Sequence, residues 1–320
     1  AFDNLTKHEL MRTGYSTEDA RNYTLGCLKA LGVEFVKGDV RNLVDLQRAA
    51  KGCDYIVHTA AQPAMTISIE DPEMDFTVNT VGTLNVLETA RRLDIPMAHC
   101  STIHVYGNKI NEILVEDETR FLCTPETIDE EYPVNQGTHT PLHASKRSAE
   151  LYVQTFIDTY GLDAAIFRLT GIYGPWQFGG EDHGWVANFT IRTILKKPVT
   201  IYGNGKQVRD ILYASDVAEA FQAFCNARKS GIFNIGGGFE RSISLVECLK
   251  LLEEITDIRP TIQYAAERKG DLRYFVCDIT KAKSLLKWTP RVNPREGIEK
   301  LALWVKENTR LFAGKTLVNK

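Results

Sequence analysis

The sequence predicts an α/β protein built on a doubly wound parallel sheet, with a smaller lobe formed by the C-terminal half. Three observations lead there. Short apolar runs suited to buried strands alternate with helical patterns through the first half of the chain. The stretch Ser101-Thr102-Ile103-His104-Val105-Tyr106-Gly107 leaves one such run and turns polar, as a buried strand does at its carboxyl end. Pro141-Leu142-His143-Ala144-Ser145-Lys146 then opens a helical pattern that continues to residue 160. A hydroxyl at a strand's end and a lysine early in the next long helix can meet outside the carboxyl ends of a parallel sheet, where open α/β sheets bind ligands.

Taken in order, residues 1–5 read as the end of a strand, and a polar, partly helical segment follows to about residue 31. Residues 33–36 form a strand ending in Gly38-Asp39-Val40, and 43–50 a short helix. A buried strand at 55–58 ends in Thr59-Ala60-Ala61-Gln62. A single helix spans 76–93, with Val78, Val81, Leu84, Val86 and Leu87 on its apolar face, and the next strand is 97–101. Residues 107–140 are acidic and without periodicity, hence a loop near the site; the helix of 142–160 leads to a strand at 164–169. From residue 170 the pattern loosens: a Gly/aromatic-rich loop, a helix at 185–195, a strand at 199–202, the turn Gly203-Asn204-Gly205, and an amphipathic terminal helix over 294–311. Two domains are expected, 1–170 and 171–320, with some return of chain to the first.

Bulk properties bound the function. A chain of 320 residues that is 43% hydrophobic can bury a full core. A net charge of -3 gives no general attraction to nucleic acid or anionic membrane. No apolar run approaches the roughly 20 residues that span a bilayer, and no signal-peptide pattern precedes the first strand. The seven cysteines are scattered without paired spacing, so reduced thiols, no metal site and a cytoplasmic location are expected.

Ser-Thr-x-x-Val-Tyr-Gly followed about 40 residues later by x-x-x-x-Ser-Lys resembles the extended short-chain dehydrogenase/reductase family, whose fold is Rossmann-like. In that family a Ser or Thr, a Tyr and a Lys four residues after the Tyr act on a substrate held beside a nicotinamide cofactor. Thr102 and Lys146 match, and Leu142 stands at the tyrosine's position. Removing a hydroxyl proton near neutrality with a phenol requires its pKa of about 10 to fall by about 3, or about 4 kcal/mol of preferential phenolate stabilisation. Leucine cannot ionise, and a lost positioned acid/base costs typically ~10²–10⁴ in rate. His143 is no obvious replacement, because adjacent helical residues point about 100° apart. His104, Tyr106 and Tyr173 remain candidates.

The resemblance also implies an NAD site. Asp3, with Asn4, stands where a carboxylate would bond the adenosine ribose and repel a 2′-phosphate, favouring NAD over NADP. Asp39 and Val40 are placed for the adenine, and Ala60, Ala61 and Gln62 for close backbone approach. Asn79 resembles the family's helix asparagine, a role compatible with tying a strand kink; Ser101 is implied as a further cofactor contact, and Lys146 as the residue that bonds the nicotinamide ribose. The glycine-rich turn that opens such folds does not follow the first strand, and Gly236-Gly237-Gly238 precedes the wrong elements. The chain is therefore expected to lack one βα unit, as a fragment or by loss of the phosphate cradle.

In the second half, Gln177-Phe178, Asp182-His183-Gly184-Trp185-Val186 and Ile201-Tyr202-Gly203-Asn204-Gly205-Lys206-Gln207-Val208-Arg209-Asp210 are similar to the CDP-paratose 2-epimerase branch. There Arg209 and an arginine of the 268–273 segment, Arg268 or Arg273, would grip a nucleotide-sugar diphosphate, since guanidinium bonds phosphate bidentately and stays charged. Gln177, Asn188 and Tyr202 are weaker candidates for nucleotide and sugar contacts. The Asp-Glu pair that dehydratases carry after the Thr is replaced by Ile103-His104, so epimerisation by transient oxidation is expected, and a homodimer or homotetramer with it. The competing expectation is a silent relative that binds a nucleotide-sugar or a protein partner without turnover.

Overall fold

The protein is represented by a computed structural model describing residues 1–312. Its centre is a parallel four-stranded sheet in the order Gly231–Ile235, Ala164–Leu169, Met97–Thr102, Ile56–His58. Parallel sheets are covered on both faces, so their strands are buried throughout, and successive residues serve opposite faces. Ala164–Leu169 shows this: Ile166 joins a core with Val86, Leu87, Val153 and Phe156, while Phe167 packs with Phe224, Phe233 and Trp288 on the other side.

The helix Pro141–Tyr160 is specified locally at both ends. Thr140 and His143 close a reciprocal cap, Pro141 occupies the first turn, and Gly161 takes the left-handed conformation (φ 67°) that stops the helix. Leu142, Ala149, Val153 and Phe156 bury one face. The expected helix over 76–93 is instead three pieces: Pro72–Phe76, a π-turn Thr77–Val81, and Gly82–Leu93. The wider turn holds Asn79, buried, in place to bond across to Gln62.

The expected single sheet is divided. Phe2–Asp3 pairs in parallel with Val36–Lys37, but that pair does not hydrogen-bond to Ile56–His58, and a cavity of about 750 Å³ is bordered by both. The strand expected at 33–36 is reduced to Val36–Lys37. The expected loop over 107–140 contains a 3₁₀ turn, Lys109–Ile113, and two-residue strands Val115–Glu116 and Phe121–Leu122 in an antiparallel pair.

In the second half Val208–Tyr213 is the hub, pairing with Ser242–Ser244, Tyr274–Phe275 and Gly171–Tyr173. Chain crosses residue 170 in both directions. Gly231–Ile235 returns to the central sheet, while Leu10, Tyr15 and Ala20 enter the core formed by Phe178, Trp304 and Phe312. Trp304 Nε1 donates to the Tyr23 hydroxyl at 2.8 Å. The terminal helix is Pro294–Glu307, followed by a 3₁₀ turn at Thr309–Phe312; the remainder of the chain, 313–320, lies outside the described residues.

Candidate active site

Thr102 ends the strand Met97–Thr102, and its hydroxyl accepts the His104 N–H at 3.2 Å, starting the turn Ile103–Tyr106. Lys146 lies in the second turn of Pro141–Tyr160, buried, with Nζ donating to the Cys100 carbonyl at 3.0 Å. Leu142 is one turn earlier and 4% exposed. Ser101, Thr102, Leu142 and Lys146 line one cavity of about 550 Å³. Gln177, Asn188, Tyr202, Arg209 and Arg268 line the same cavity.

The larger hollow is lined by Asp3, Asn4, Asp39, Val40, Ala60, Ala61 and Gln62. Thr59, Ala61, Pro63 and His183 line both hollows, so the two meet there. Asp39 is gripped by Arg41 through Nε at 2.9 Å and Nη2 at 2.7 Å, with Asn4 Nδ2 donating at 2.9 Å. The Arg41 hydrogen bonds hold its carboxyl well below the usual range. Asp3 caps its own turn, Oδ1 accepting the Leu5 N–H at 2.6 Å. Asn79 lines neither hollow. Its amide carbonyl accepts the Gln62 N–H at 2.8 Å and its NH₂ donates to the Gln62 carbonyl at 3.1 Å, fixing the segment after Ile56–His58. No glycine-rich turn follows Phe2–Asp3; the glycines that open a helix beside the smaller hollow, Gly179, Gly180 and Gly184, precede Trp185–Ile194 in the second half of the chain.

The arginines divide. Arg209 is mostly buried, donates to the Val208 carbonyl at 2.8 Å and lies 3.5 Å from Asp271. Arg268 stacks on the Tyr202 ring at 3.8 Å, pairs with Asp182 at 3.4 Å and donates to the Glu181 carbonyl at 2.9 Å. Arg273, expected as an alternative phosphate ligand, lines neither hollow. Glu267 takes its guanidinium with two hydrogen bonds, at 2.7 and 2.6 Å, which turns it away from the cavity.

Two of the three candidates for the missing phenol are also displaced. The Tyr106 hydroxyl donates to Asn234 Oδ1 at 2.8 Å inside the core, and Tyr173 is buried against Tyr213. His104 does line the cavity. Burial, with His143 and Arg209 nearby, pulls its pKa down to about 3. The three consecutive glycines have a packing role: a Cβ at Gly236 would lie 2.1 Å from Asp210 Oδ2, and the Gly238 N–H donates to that oxygen at 3.1 Å.

Some connections escaped the sequence reading. Glu150, one turn beyond Lys146, is fully buried and receives the Ser101 hydroxyl at 2.6 Å and Arg168 at 3.0 and 2.9 Å. Its spacing from Lys146 was the available signal. His143, set aside as a base, has a structural role: its Nδ1 accepts the Thr140 N–H at 3.0 Å as a helix cap. Thr140 three residues before it was the sign.

Asp210, behind Arg209, is fully buried, and burial pushes its carboxyl up from the ordinary 3.8 to about 6. A carboxyl that holds its proton more tightly when folded favours the folded state in acid, and that advantage fades as pH climbs from about 4 to about 6. The expected loss is about 3 kcal/mol. Urea unfolding of Asp210→Asn across that range should show a flatter pH dependence than the parent chain.

A parallel sheet with a strand-end threonine, a buried helix lysine and paired arginines around one hollow defines an enzyme-like site of the extended short-chain dehydrogenase/reductase type. The chain belongs to the NAD dependent epimerase/dehydratase family, whose model matches residues 5–236. It is 38% identical over 290 residues to a CDP-paratose 2-epimerase of Salmonella typhi, covering 87% of this chain and 86% of that protein. A putative UDP-glucose 4-epimerase of Methanocaldococcus jannaschii is 31% identical over 307 residues, covering 94% of each. Among solved structures, the UDP-glucose 4-epimerase of Thermus thermophilus in complex with NAD is 31% identical with a TM-score of 0.74, covering 87% of this chain and 86% of that one.

Proposed function

We propose that the chain is an NAD-dependent nucleotide-sugar epimerase of the CDP-paratose 2-epimerase kind, acting by transient oxidation and hydride return. The observation that carries this reading is the shared cavity of Thr102, Lys146, Arg209 and Arg268, opening onto the cleft that holds Asp3 and Asp39. The residues fit NAD at its two ends. The carboxylate of Asp3, at the end of Phe2–Asp3, suits a ribose diol. Ala60 and Ala61 permit backbone approach, and Lys146 and Ser101 suit the nicotinamide ribose. No described residue is assigned to the pyrophosphate.

When bound, NAD supplies a reversible hydride acceptor. The chain's own residues do the rest. Arg209 and Arg268 hold the substrate diphosphate as charged forks, with Asp271 and Asp182 giving way to it. Thr102 orients the reacting hydroxyl by hydrogen bonding. Leu142 and Ile172, both lining the cavity, exclude water from the reacting carbon. Ile103 and His104 stand where an Asp-Glu pair for elimination of water would follow Thr102, which favours epimerisation over dehydration.

Leu142 gives one specific ground for a second reading, a nucleotide-sugar binder without turnover. The relatives' identity across the chain and the intact arginine pair favour the enzyme. Exposed Leu151, Tyr152 and Tyr160 on Pro141–Tyr160, and Leu93 on Gly82–Leu93, support a homodimer through those helices. No helix of the described residues is long and apolar enough to cross a membrane; with seven free cysteines a cytoplasmic setting is proposed.

The test is direct. A purified full-length form should release NAD on denaturation, sediment as a dimer, bind CDP calorimetrically, and interconvert CDP-paratose and its C2 epimer. Arg268→Ala should weaken CDP binding about tenfold or more, as loss of a charge-assisted phosphate contact costs about 1.5–3 kcal/mol. CDP binding without conversion supports the silent reading, and absence of CDP binding overturns both.

A further inference from the structure

Without a phenol at Leu142, the proton of a substrate hydroxyl needs another acceptor. Of the titratable side chains lining the cavity, Cys100, His104 and Lys146 come from the strand end and the helix that carry Thr102 and Leu142; Asp182 pairs with Arg268, Asp271 with Arg209, and Glu181 takes the Tyr202 hydroxyl. Burial keeps Cys100 a thiol, pushing it up to about 12. His104, at about 3, is too weak a base to compete for an alcohol proton near neutrality.

Lys146 differs from both. Its ammonium end meets one carbonyl, that of Cys100, and among the described residues it forms no ion pair. Leu142 precedes it by four residues on the same helix face, so the neighbour that would be a phenol is an apolar side chain. We propose that Lys146 itself is the general base and general acid of this chain, working as the neutral amine; the assignment rests on the epimerase reading above. With NAD bound, the hydroxyl proton would pass to Nζ as the carbon gave up its hydride to the oxidised nicotinamide, leaving the C–O bond a carbonyl. On return of hydride to the opposite face, the ammonium gives the proton back to the carbonyl oxygen.

The surroundings favour the neutral amine. Burial pulls the Lys146 pKa down, against Cys100 on its strand, Asp75 on Pro72–Phe76 and Glu150 on its own helix. Glu150 is engaged elsewhere through both oxygens, and Asp75 through Oδ1 alone; its Oδ2 is buried without a hydrogen-bond partner, and burial pushes that carboxyl's pKa up. Asp75 receives Gln62 at 2.9 Å and Asn79 at 3.1 Å, and Glu150 receives Arg168 and Arg147. His58, on Ile56–His58, and His99, on Met97–Thr102, are buried and held neutral by that burial, so neither supplies counter-charge. A desolvated lysine is a common route to an amine base, where an exposed one stays protonated.

Trace acetylation of the intact protein across pH, read by peptide mass spectrometry, measures the proton on each lysine without turnover. Lys146 should reach half-maximal labelling at lower pH than exposed Lys29 and Lys51; labelling in step with them overturns the proposal. Lys146→Arg supplies a second arm, since arginine keeps the charge and cannot serve as base. It should bind CDP like the parent yet lose ~10²–10⁴-fold in epimerisation. Epimerisation retained by Lys146→Arg rejects the amine as base while the epimerase reading stands. A parent chain that converts no nucleotide-sugar removes both together.

Discussion

Replacing Leu142 with tyrosine is expected to raise the epimerisation rate about 10²-fold, the lower end of what a positioned acid/base contributes. Leu142 lines the cavity one helical turn before Lys146 and is 4% exposed. A phenol there would point along the same face toward the space beside Thr102. Lys146 would then return to stabilising a phenolate, and burial, which alone raises a phenol's pKa, would be opposed by the ammonium's charge. The gain is set at the lower end because the Lys146 amine already supplies part of the proton transfer. Single-turnover conversion of CDP-paratose, followed by chromatography of the nucleotide-sugars, gives the ratio. An unchanged rate in a protein that still binds CDP would show that the phenol is not what limits this chain and would favour the silent reading.

The parts of this site that could be read in the sequence are those set by neighbours in the chain. Ala164–Leu169 and Val199–Tyr202 matched their apolar runs, and Pro141–Tyr160 was marked by the helical pattern that opens at Pro141. Thr102 and Lys146 line one cavity because a parallel strand and the helix packed on it place their ends predictably. What could not be read was set by distant chain. The break between Phe2–Asp3 and Ile56–His58 is an exception: it falls where the doubly wound order places the first strand, part of the βα unit expected to be lacking. Arg268 and Arg273 were equivalent by eye. Glu267 claims one from six residues away, while Asp182 and Tyr202 draw the other into the cavity from another part of the chain. The segment 107–140 lacked periodicity because its elements are one 3₁₀ turn and two two-residue strands, too short to repeat.

The largest stability effect is expected at Glu150, where truncation to alanine should cost about 3–5 kcal/mol. Glu150 is fully buried on Pro141–Tyr160, and Arg168, 2% exposed on Ala164–Leu169, is its partner at 2.9 Å. The intact pair is worth little in itself, because the cost of removing two charges from water offsets most of their attraction. Removing one member is different: Arg168 cannot shed its charge, and its guanidinium, 4.7 Å over the Tyr106 ring, would be left with a buried charge and no carboxylate. Glu150→Ala also frees the Ser101 hydroxyl next to Thr102 and removes the bond from Arg147, so the catalytic strand end loses an anchor along with the core. A double cycle with Arg168→Met separates the two effects, measured by urea unfolding at neutral pH. The double variant should recover most of the lost stability, as an apolar replacement of a buried ion pair usually does, without recovering epimerisation. If Glu150→Ala costs no more than about 1 kcal/mol, the range of an exposed ion pair, the network is solvated in the working protein and its role in holding Ser101 and Thr102 is lost with it.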